Sequence, residues 1–198
     1  MKLTPLAMAV LELLLEKPMH PYEMAQVLRT RNIEARANIK PGSLYHAVER
    51  LEGHGHIEVV DTQREGRRPE RTVYGVTEAG RDAFVERAKV MISTIAPEFP
   101  EYASGLSALN ELDREEALAE LRTRALRLRA EDAADQVITE NLAAKPLPAV
   151  YGLDVRFLAD RRAFELAWTD RLIEHITTGR VAWVPAEPED PTDSKDGL

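Results

Sequence analysis

The chain has 198 residues, of which 44% are hydrophobic and none is cysteine, and its formal net charge is −8. This composition excludes a wholly disordered chain, disulfide bonds and thiolate metal sites, and it agrees with a reducing cytoplasm. Residues 1–80 are balanced in charge, so the whole acidic excess lies in residues 81–198. The N-terminal part can therefore carry a local basic surface despite the acidic total.

Two helices are predicted at the start of the sequence. Thr4 is a helix-capping residue followed by Pro5 at the first helical position, and Pro18 ends the helix. Glu12 and Glu16 interrupt its apolar run, so it is predicted to be a core helix and not a signal peptide. A second helix is predicted from Pro21, and its inward residues are expected to be Tyr22, Met24, Ala25 and Leu28.

A third, short helix is predicted from Lys40 to Gly53. Pro41 and Gly42 mark a turn into this helix, and Gly53 and Gly55 mark its end. With 100° per residue, one face is apolar and consists of Leu44, Ala47, Val48 and Leu51. The other face is small, polar or basic, so this helix is expected to pack on one side and to present the other to a partner.

Two β-strands follow, at Ile57–Thr62 and Thr72–Thr77, with Gly66 in the turn between them. Four arginines lie in or beside this turn: Arg64, Arg67, Arg68 and Arg71. Guanidinium groups at the tip of a β-ribbon are suited to DNA phosphates and to the minor groove. Three helices and a basic hairpin predict a winged helix-turn-helix, and the alternative is a solvated hairpin with a charged turn.

The rest of the chain is predicted to be helical. Thr77 caps a helix that runs to about Ile95, residues 96–112 form a linker or short-helix region, and Asp113 caps a long helix. After a break at residues 145–148, a last helix is expected at about 149–179, and residues 185–198 are expected to be a disordered acidic tail. One seam of the last helix is apolar and consists of Leu153, Phe157, Phe164, Trp168 and Leu172.

This seam indicates a partner surface, most simply a second copy of the chain. Its aromatic residues, together with Tyr151, are also compatible with a pocket for a small aromatic effector, and the common alternative for such a stripe is plain core or a dimer seam. The predicted fold is mainly α (α+β). A winged helix-turn-helix domain at 1–80 precedes an all-α dimerisation or effector domain at 81–184 and the tail at 185–198.

The order of motifs in residues 1–80 resembles the PadR family of bacterial transcriptional regulators. The similar segments are Leu-Tyr-His at 44–46, Glu-Arg-Leu-Glu at 49–52, Gly-His-Ile-Glu at 55–58, Gly-Arg-Arg-Pro-Glu-Arg-Thr-Val-Tyr at 66–74 and Thr-Glu-Ala-Gly at 77–80. The later helices also resemble the C-terminal domain of the longer PadR members. The resemblance implies a cytoplasmic homodimer on a palindromic operator in double-stranded DNA, commonly a repressor released by a small molecule.

The resemblance also implies roles for individual residues. Ser43, Tyr45 and His46 would lie in or beside the major groove, with Lys40 and Arg50 near phosphates. The wing would be formed by Arg64, Arg67, Arg68 and Arg71. Many relatives have a proline where this chain has His46, so His46 is expected to alter base preference. The alternatives are that Tyr45 braces the helix against its neighbour and that Arg50 pairs with a nearby acid.

Two other classes of function fit the sequence less well. An enzyme is disfavoured because the sequence has no P-loop, no dinucleotide glycine motif, no Gly-x-Ser-x-Gly motif and no metal-ligand spacing, so no cofactor or metal is expected. A winged helix that binds only proteins is the second alternative. The four arginines of the hairpin argue against it, and the salt dependence of DNA affinity would separate the two.

Overall fold

The computed structural model describes residues 2–31, 42–63 and 71–183. By their contacts, the residues form two compact units, Met1–Pro97 and Glu98–Leu198. Lys40, the predicted turn with Arg64, Arg67 and Arg68, and the predicted tail lie outside the described residues. The predicted functional boundary after residue 80 stays a prediction.

The first unit contains four helices and one hairpin within its described residues. They are α1 (Pro5–Glu16), α2 (Pro21–Thr30), α3 (Ser43–Gly53), β1 (Ile57–Gln63), β2 (Arg71–Val76) and α4 (Glu78–Ser93). The predicted start of α1 is confirmed, because the Thr4 hydroxyl accepts a hydrogen bond from the amide of Ala7 at 3.2 Å. Gly42 precedes α3 with φ +86°, a left-handed conformation that glycine adopts without a steric penalty.

β1 and β2 form an antiparallel pair in which Ile57 lies opposite Val76 and Val59 lies opposite Tyr74. A bulge at Val60 shifts the register between Val59 and Asp61, and Gly75 makes room for the Val60 side chain. Met19 adds a single antiparallel bridge to Tyr74, with two N–H···O bonds of 3.0 Å. The hairpin is thereby attached to the segment between α1 and α2, as in a winged helix.

The core of the first unit is formed mainly by α1, α2 and α3. The predicted inward residues of α3 are confirmed, since Leu44, Val48 and Leu51 are buried and Ala47 packs against the core. The inward prediction for Tyr22 is wrong, because this side chain is 56% exposed. Two residues correspond to about 200° around a helix, so Tyr22 lies on the side opposite the buried Met24. In this first turn Pro21 is buried instead.

The Thr77–Gly80 segment fixes the start of α4 against the end of α3. The Thr77 hydroxyl accepts a hydrogen bond from the Gly80 amide at 3.0 Å and donates one to the Gly55 carbonyl at 2.7 Å. A β-carbon at Gly80 would lie 2.0 Å from the carbonyl oxygen of His56. Only glycine fits this contact, which explains why the Thr-Glu-Ala-Gly segment ends as it does.

The second unit contains three helices and two 3₁₀ turns within its described residues. They are α5 (Glu101–Ser107), a turn at Leu109–Glu111, α6 (Arg114–Ala143), a turn at Ala149–Gly152 and α7 (Leu153–Thr177). Asp113 caps α6 as predicted, accepting from the amides of Glu115 and Glu116 at 2.8 and 3.0 Å. The prediction of one helix over 149–179 is wrong: the chain bends at Tyr151 and Gly152, where a β-carbon on Gly152 would lie 2.3 Å from Leu142.

α6 and α7 pack as an antiparallel hairpin with a small apolar centre and several ion pairs. The centre is formed by Leu118, Leu121 and Ile176. Arg124 lies 2.6 Å from Glu165, and Arg162 contacts both Glu131 and Asp135. Half-buried pairs of this kind add little net stability, because taking each charge out of water costs much of what the pairing gains.

Candidate nucleic-acid interface

The exposed surface of α3 has two flanks of different character. At 100° per residue from the buried Leu44, His46 and Arg50 lie near 200° and 240°, whereas Tyr45, Glu49 and Glu52 lie between about 80° and 140°. One flank is therefore basic or neutral and the other is acidic. A helix with this arrangement approaches a polyanion with its basic flank nearest to the phosphates.

The basic flank of α3 borders a groove shared with the start of α1. The groove has a volume of about 270 Å³ and is lined by Lys2, Thr4, Leu6, Ala7, Ser43, His46, Ala47 and Arg50. Of the described residues that line it, none is acidic. Neither the Lys2 ammonium nor the Arg50 guanidinium has an ion-pair partner within the described part of the chain, so the alternative in which Arg50 pairs with a nearby acid is not observed there.

The acidic flank is tied to the hairpin. The Tyr74 hydroxyl donates to the Glu52 carboxylate at 3.4 Å, and burial, followed by the charge of Glu52, raises the pKa of Tyr74. Glu49 reaches across the surface to the His46 ring at 3.3 Å. Tyr45 is 51% exposed, so half of its surface is available to a ligand.

The structure brings only part of the predicted DNA-binding set together. Ser43, His46 and Arg50 line the groove, and Tyr45 lies on the other flank of the same helix. Arg71 begins β2 opposite Gln63. Lys2 was not predicted as a site residue, because a single lysine before a helix cap belongs to no sequence pattern.

The turn between α3 and β1 carries two histidines. The rings of His54 and His56 are stacked with centroids 6.3 Å apart, and the Nδ1 atom of His56 is buried without a hydrogen-bond partner. Burial lowers the pKa of His56, because a charged imidazolium would lose its hydration there. Within the described chain, no three metal-ligating side chains form a cluster at this turn or elsewhere.

The predicted apolar seam of α7 is divided into two parts. Leu153, Phe157 and Phe164 are exposed, with Phe164 at 62%. Trp168 packs edge-on against Tyr102 with ring centroids 5.9 Å apart, and Leu172 packs against the apolar centre of the hairpin. At 100° per residue, Leu153, Phe164 and Phe157 lie at about 0–40°, Trp168 at about 60° and Leu172 at about 100°, so the last two are nearer to the packed side of α7.

Membrane insertion finds no support in the helices of the described ranges. None of these helices combines the length and the apolar character that crossing a bilayer requires.

Comparisons with known proteins agree with this geometry. Residues 10–86 match the model of the transcriptional regulator PadR-like family. The fold is similar to Bacillus subtilis PadR in complex with operator DNA (TM-score 0.72, 21% identity, covering 86% of this chain and 98% of that chain). It is also similar to Bacillus subtilis PadR in complex with p-coumaric acid (TM-score 0.70, 18% identity, covering 87% and 99%).

A third similar structure is the PadR-like transcriptional regulator BC1756 from Bacillus cereus (TM-score 0.61, 15% identity, covering 87% and 98%). No curated protein sequence matches the chain. At these identities the structural matches show a shared fold, a winged helix with C-terminal helices.

Proposed function

Because residues 10–86 match the PadR-like family of transcriptional regulators, we propose that the chain is a member of this family and a homodimeric repressor of transcription. It binds a palindromic operator in DNA and is released by a small-molecule effector. The family consists of regulators, so the chain is a regulator and not an enzyme. Its place of action is the cytoplasm, where bacterial DNA is.

The observation that carries the proposal is the basic flank of α3 on a winged-helix scaffold. α3 is held on one side by the core, so its other side is a rigid surface that can enter the major groove. His46 and Tyr45 are placed to contact base edges, and Arg50 is placed to contact a phosphate. Lys40 and the arginines Arg64, Arg67, Arg68 and Arg71 complete the proposed DNA contacts.

Two exposed apolar stripes of the second unit support a homodimer. On α7, Leu153, Phe157 and Phe164 lie within about 40° of one another and point away from the shared centre of the hairpin. On α6, Leu126 and Val137 are 68% and 56% exposed and lie on the side away from α7. Apolar stripes of this length usually mark a protein interface, and a second copy is the simplest partner.

The effector is proposed to be a small aromatic molecule, as the complex of Bacillus subtilis PadR with p-coumaric acid suggests. The mechanism is a shift between two arrangements of the dimer, of which only one matches the operator. An effector that binds the other arrangement more tightly would lower the DNA affinity. The candidate contacts are the aromatic residues of α7, Phe157, Phe164 and Trp168.

The experiment is titration of the purified protein against DNA from upstream of its own gene, at two salt concentrations. We expect specific binding in the range of about 10⁻⁸–10⁻¹¹ M that weakens steeply with salt and needs both half-sites of a palindrome. p-Coumaric acid is then added to the complex, and release is expected. Binding no tighter than to random DNA would contradict the proposal and favour a winged helix that binds proteins.

A further inference from the structure

The groove between the start of α1 and the basic flank of α3 has a shape and charge that contacts between α3 and DNA bases would not require. It is small, about 270 Å³, and both of its walls carry a cation: Lys2 on the α1 side and Arg50 on the α3 side. His46 stands on the same wall as Arg50. The described lining contains no carboxylate, although the chain as a whole has an acidic excess.

Some cations of the first unit have an ion-pair partner within the described chain, and others do not. The exposed lysines Lys17 and Lys89 each pair with a glutamate, at 2.6 Å in both cases, and Arg31 forms a two-point pair with Glu16. Lys2 and Arg50 have no such pair among the residues that the structure describes. Two free cations that face one groove attract an anion, and each repels the other until that anion is bound.

A third group at the groove is a hydrogen-bond donor. The Thr4 hydroxyl accepts from the Ala7 amide with its oxygen, so its own hydrogen remains to be donated outward. A phosphate oxygen accepts bonds of this kind, and charge-assisted bonds from lysine and arginine are stronger still. The apolar wall of Leu6 and Ala7 can contact a deoxyribose.

From this arrangement we propose that the groove binds one phosphodiester group of the DNA backbone in each half-site, with Lys2 and Arg50 on its two sides. This proposal rests on the proposed function and adds Lys2 and Thr4 to the DNA contacts. It also orients α3: the Ser43–Arg50 flank faces one strand of the backbone, and the flank of Glu49 and Glu52 faces away from it. Since the groove links α1 to α3, the contact fixes the angle at which α3 enters the major groove.

The test compares Lys2→Gln, Lys2→Arg and the matched control Lys89→Gln in protein without an N-terminal tag. Affinities for the operator duplex and for a random duplex are measured between 50 and 200 mM salt. We expect Lys2→Gln to weaken both complexes by about tenfold at 0.1 M salt and to reduce the slope of log K against log salt by about 1. Lys2→Arg is expected to retain the slope, and Lys89→Gln to behave as the unaltered protein.

Phosphate-ethylation interference supplies a second readout. Ethylation of one phosphate in each half-site is expected to block binding of the unaltered protein and to have a smaller effect on Lys2→Gln. Circular dichroism confirms that each variant is folded. An unchanged affinity, slope and interference pattern in folded Lys2→Gln would overturn the inference while the operator-binding proposal stands.

The reverse failure is distinguishable. If the unaltered protein binds the operator no more tightly than the random duplex, and Lys2→Gln still weakens both, the backbone contact is supported and the proposed sequence-specific repression fails.

Discussion

The two units of the molecule differ in how completely each buries its own apolar surface. α1, with 12 residues, buries Leu6, Ala7, Ala9, Val10, Leu11, Leu13 and Leu14. α7, with 25 residues, buries only Thr169 and Ile176. The first unit therefore has an extensive apolar core of its own, whereas the second unit is a helical hairpin held by ion pairs and a small apolar centre. The difference agrees with the proposed division of roles, in which the first unit binds DNA and the second unit binds a second copy of the chain.

The largest expected effect tests this difference with one chemical change in two places. Leu11→Ala removes a fully buried side chain of α1 and is expected to lower the free energy of unfolding by about 2–5 kcal/mol. Leu126→Ala makes the same change on α6, where the side chain is 68% exposed, and is expected to alter the stability of the dilute monomer by less than about 0.5 kcal/mol.

Urea unfolding at low protein concentration measures both variants. If both variants lost the same free energy of unfolding, Leu126 would already be packed in the monomer. The two units would then not differ in how completely they bury their apolar side chains.

A second prediction concerns the contact that holds the start of α4 against the turn after α3. Gly80→Ala places a methyl group 2.0 Å from the His56 carbonyl oxygen, and neither backbone can move without loss of the Thr77 hydrogen bonds. We expect a loss of about 1–3 kcal/mol in the free energy of unfolding. Gly105→Ala on α5 is the matched control, because its new methyl group meets nothing within 4 Å.

Gly105→Ala is expected to be neutral or slightly stabilising, since alanine favours a helix over glycine. The measurement is the midpoint of urea unfolding for each variant. A Gly80→Ala protein as stable as the Gly105→Ala protein would show that the approach of α4 to His56 is looser than the structure indicates.

The third prediction addresses the apolar stripe of α7. Phe164→Ser removes a ring that is 62% exposed in one copy and is proposed to be buried between two copies. We expect the dissociation constant of the dimer to rise by at least about tenfold, which corresponds to about 1.4 kcal/mol. Tyr22→Ser, a similarly exposed aromatic residue of the first unit, is expected to leave it unchanged.

Analytical ultracentrifugation over a range of protein concentrations distinguishes the two variants. An unchanged monomer–dimer equilibrium in Phe164→Ser would remove α7 from the proposed interface.

The features that local chemistry determines could be predicted from the sequence. Thr4, Thr77 and Asp113 each cap a helix by bonding to an amide two or three residues away, so their effect is visible in a short window. The apolar face of α3 was likewise predictable, because Leu44, Val48 and Leu51 repeat at helical spacing.

The features that depend on distant contacts could not be predicted. The groove brings together Lys2, before α1, and Arg50, on α3. Nothing in the sequence around either residue indicates that the two lie close together. The division of the α7 seam depends on where Tyr102 and α6 meet it, and the bend at Gly152 depends on the approach of Leu142. Such contacts are fixed by tertiary packing and leave no short-range signal.

The smallest predicted effect is a pH dependence of the stability of the first unit. Burial lowers the pKa of His56 in the folded chain, whereas the unfolded imidazole has a pKa of about 6.5. The unfolded state then binds more protons than the folded state, so stability is complete above about pH 6.5 and declines as the pH falls toward the folded pKa. The buried Nδ1 atom without a partner is the physical source of this penalty. Unfolding by urea at pH 7.5, 6.5 and 5.5 should show the decline in the free energy of unfolding, and His56→Gln should reduce it. An equal decline in the unaltered protein and His56→Gln would assign the acid sensitivity to other groups.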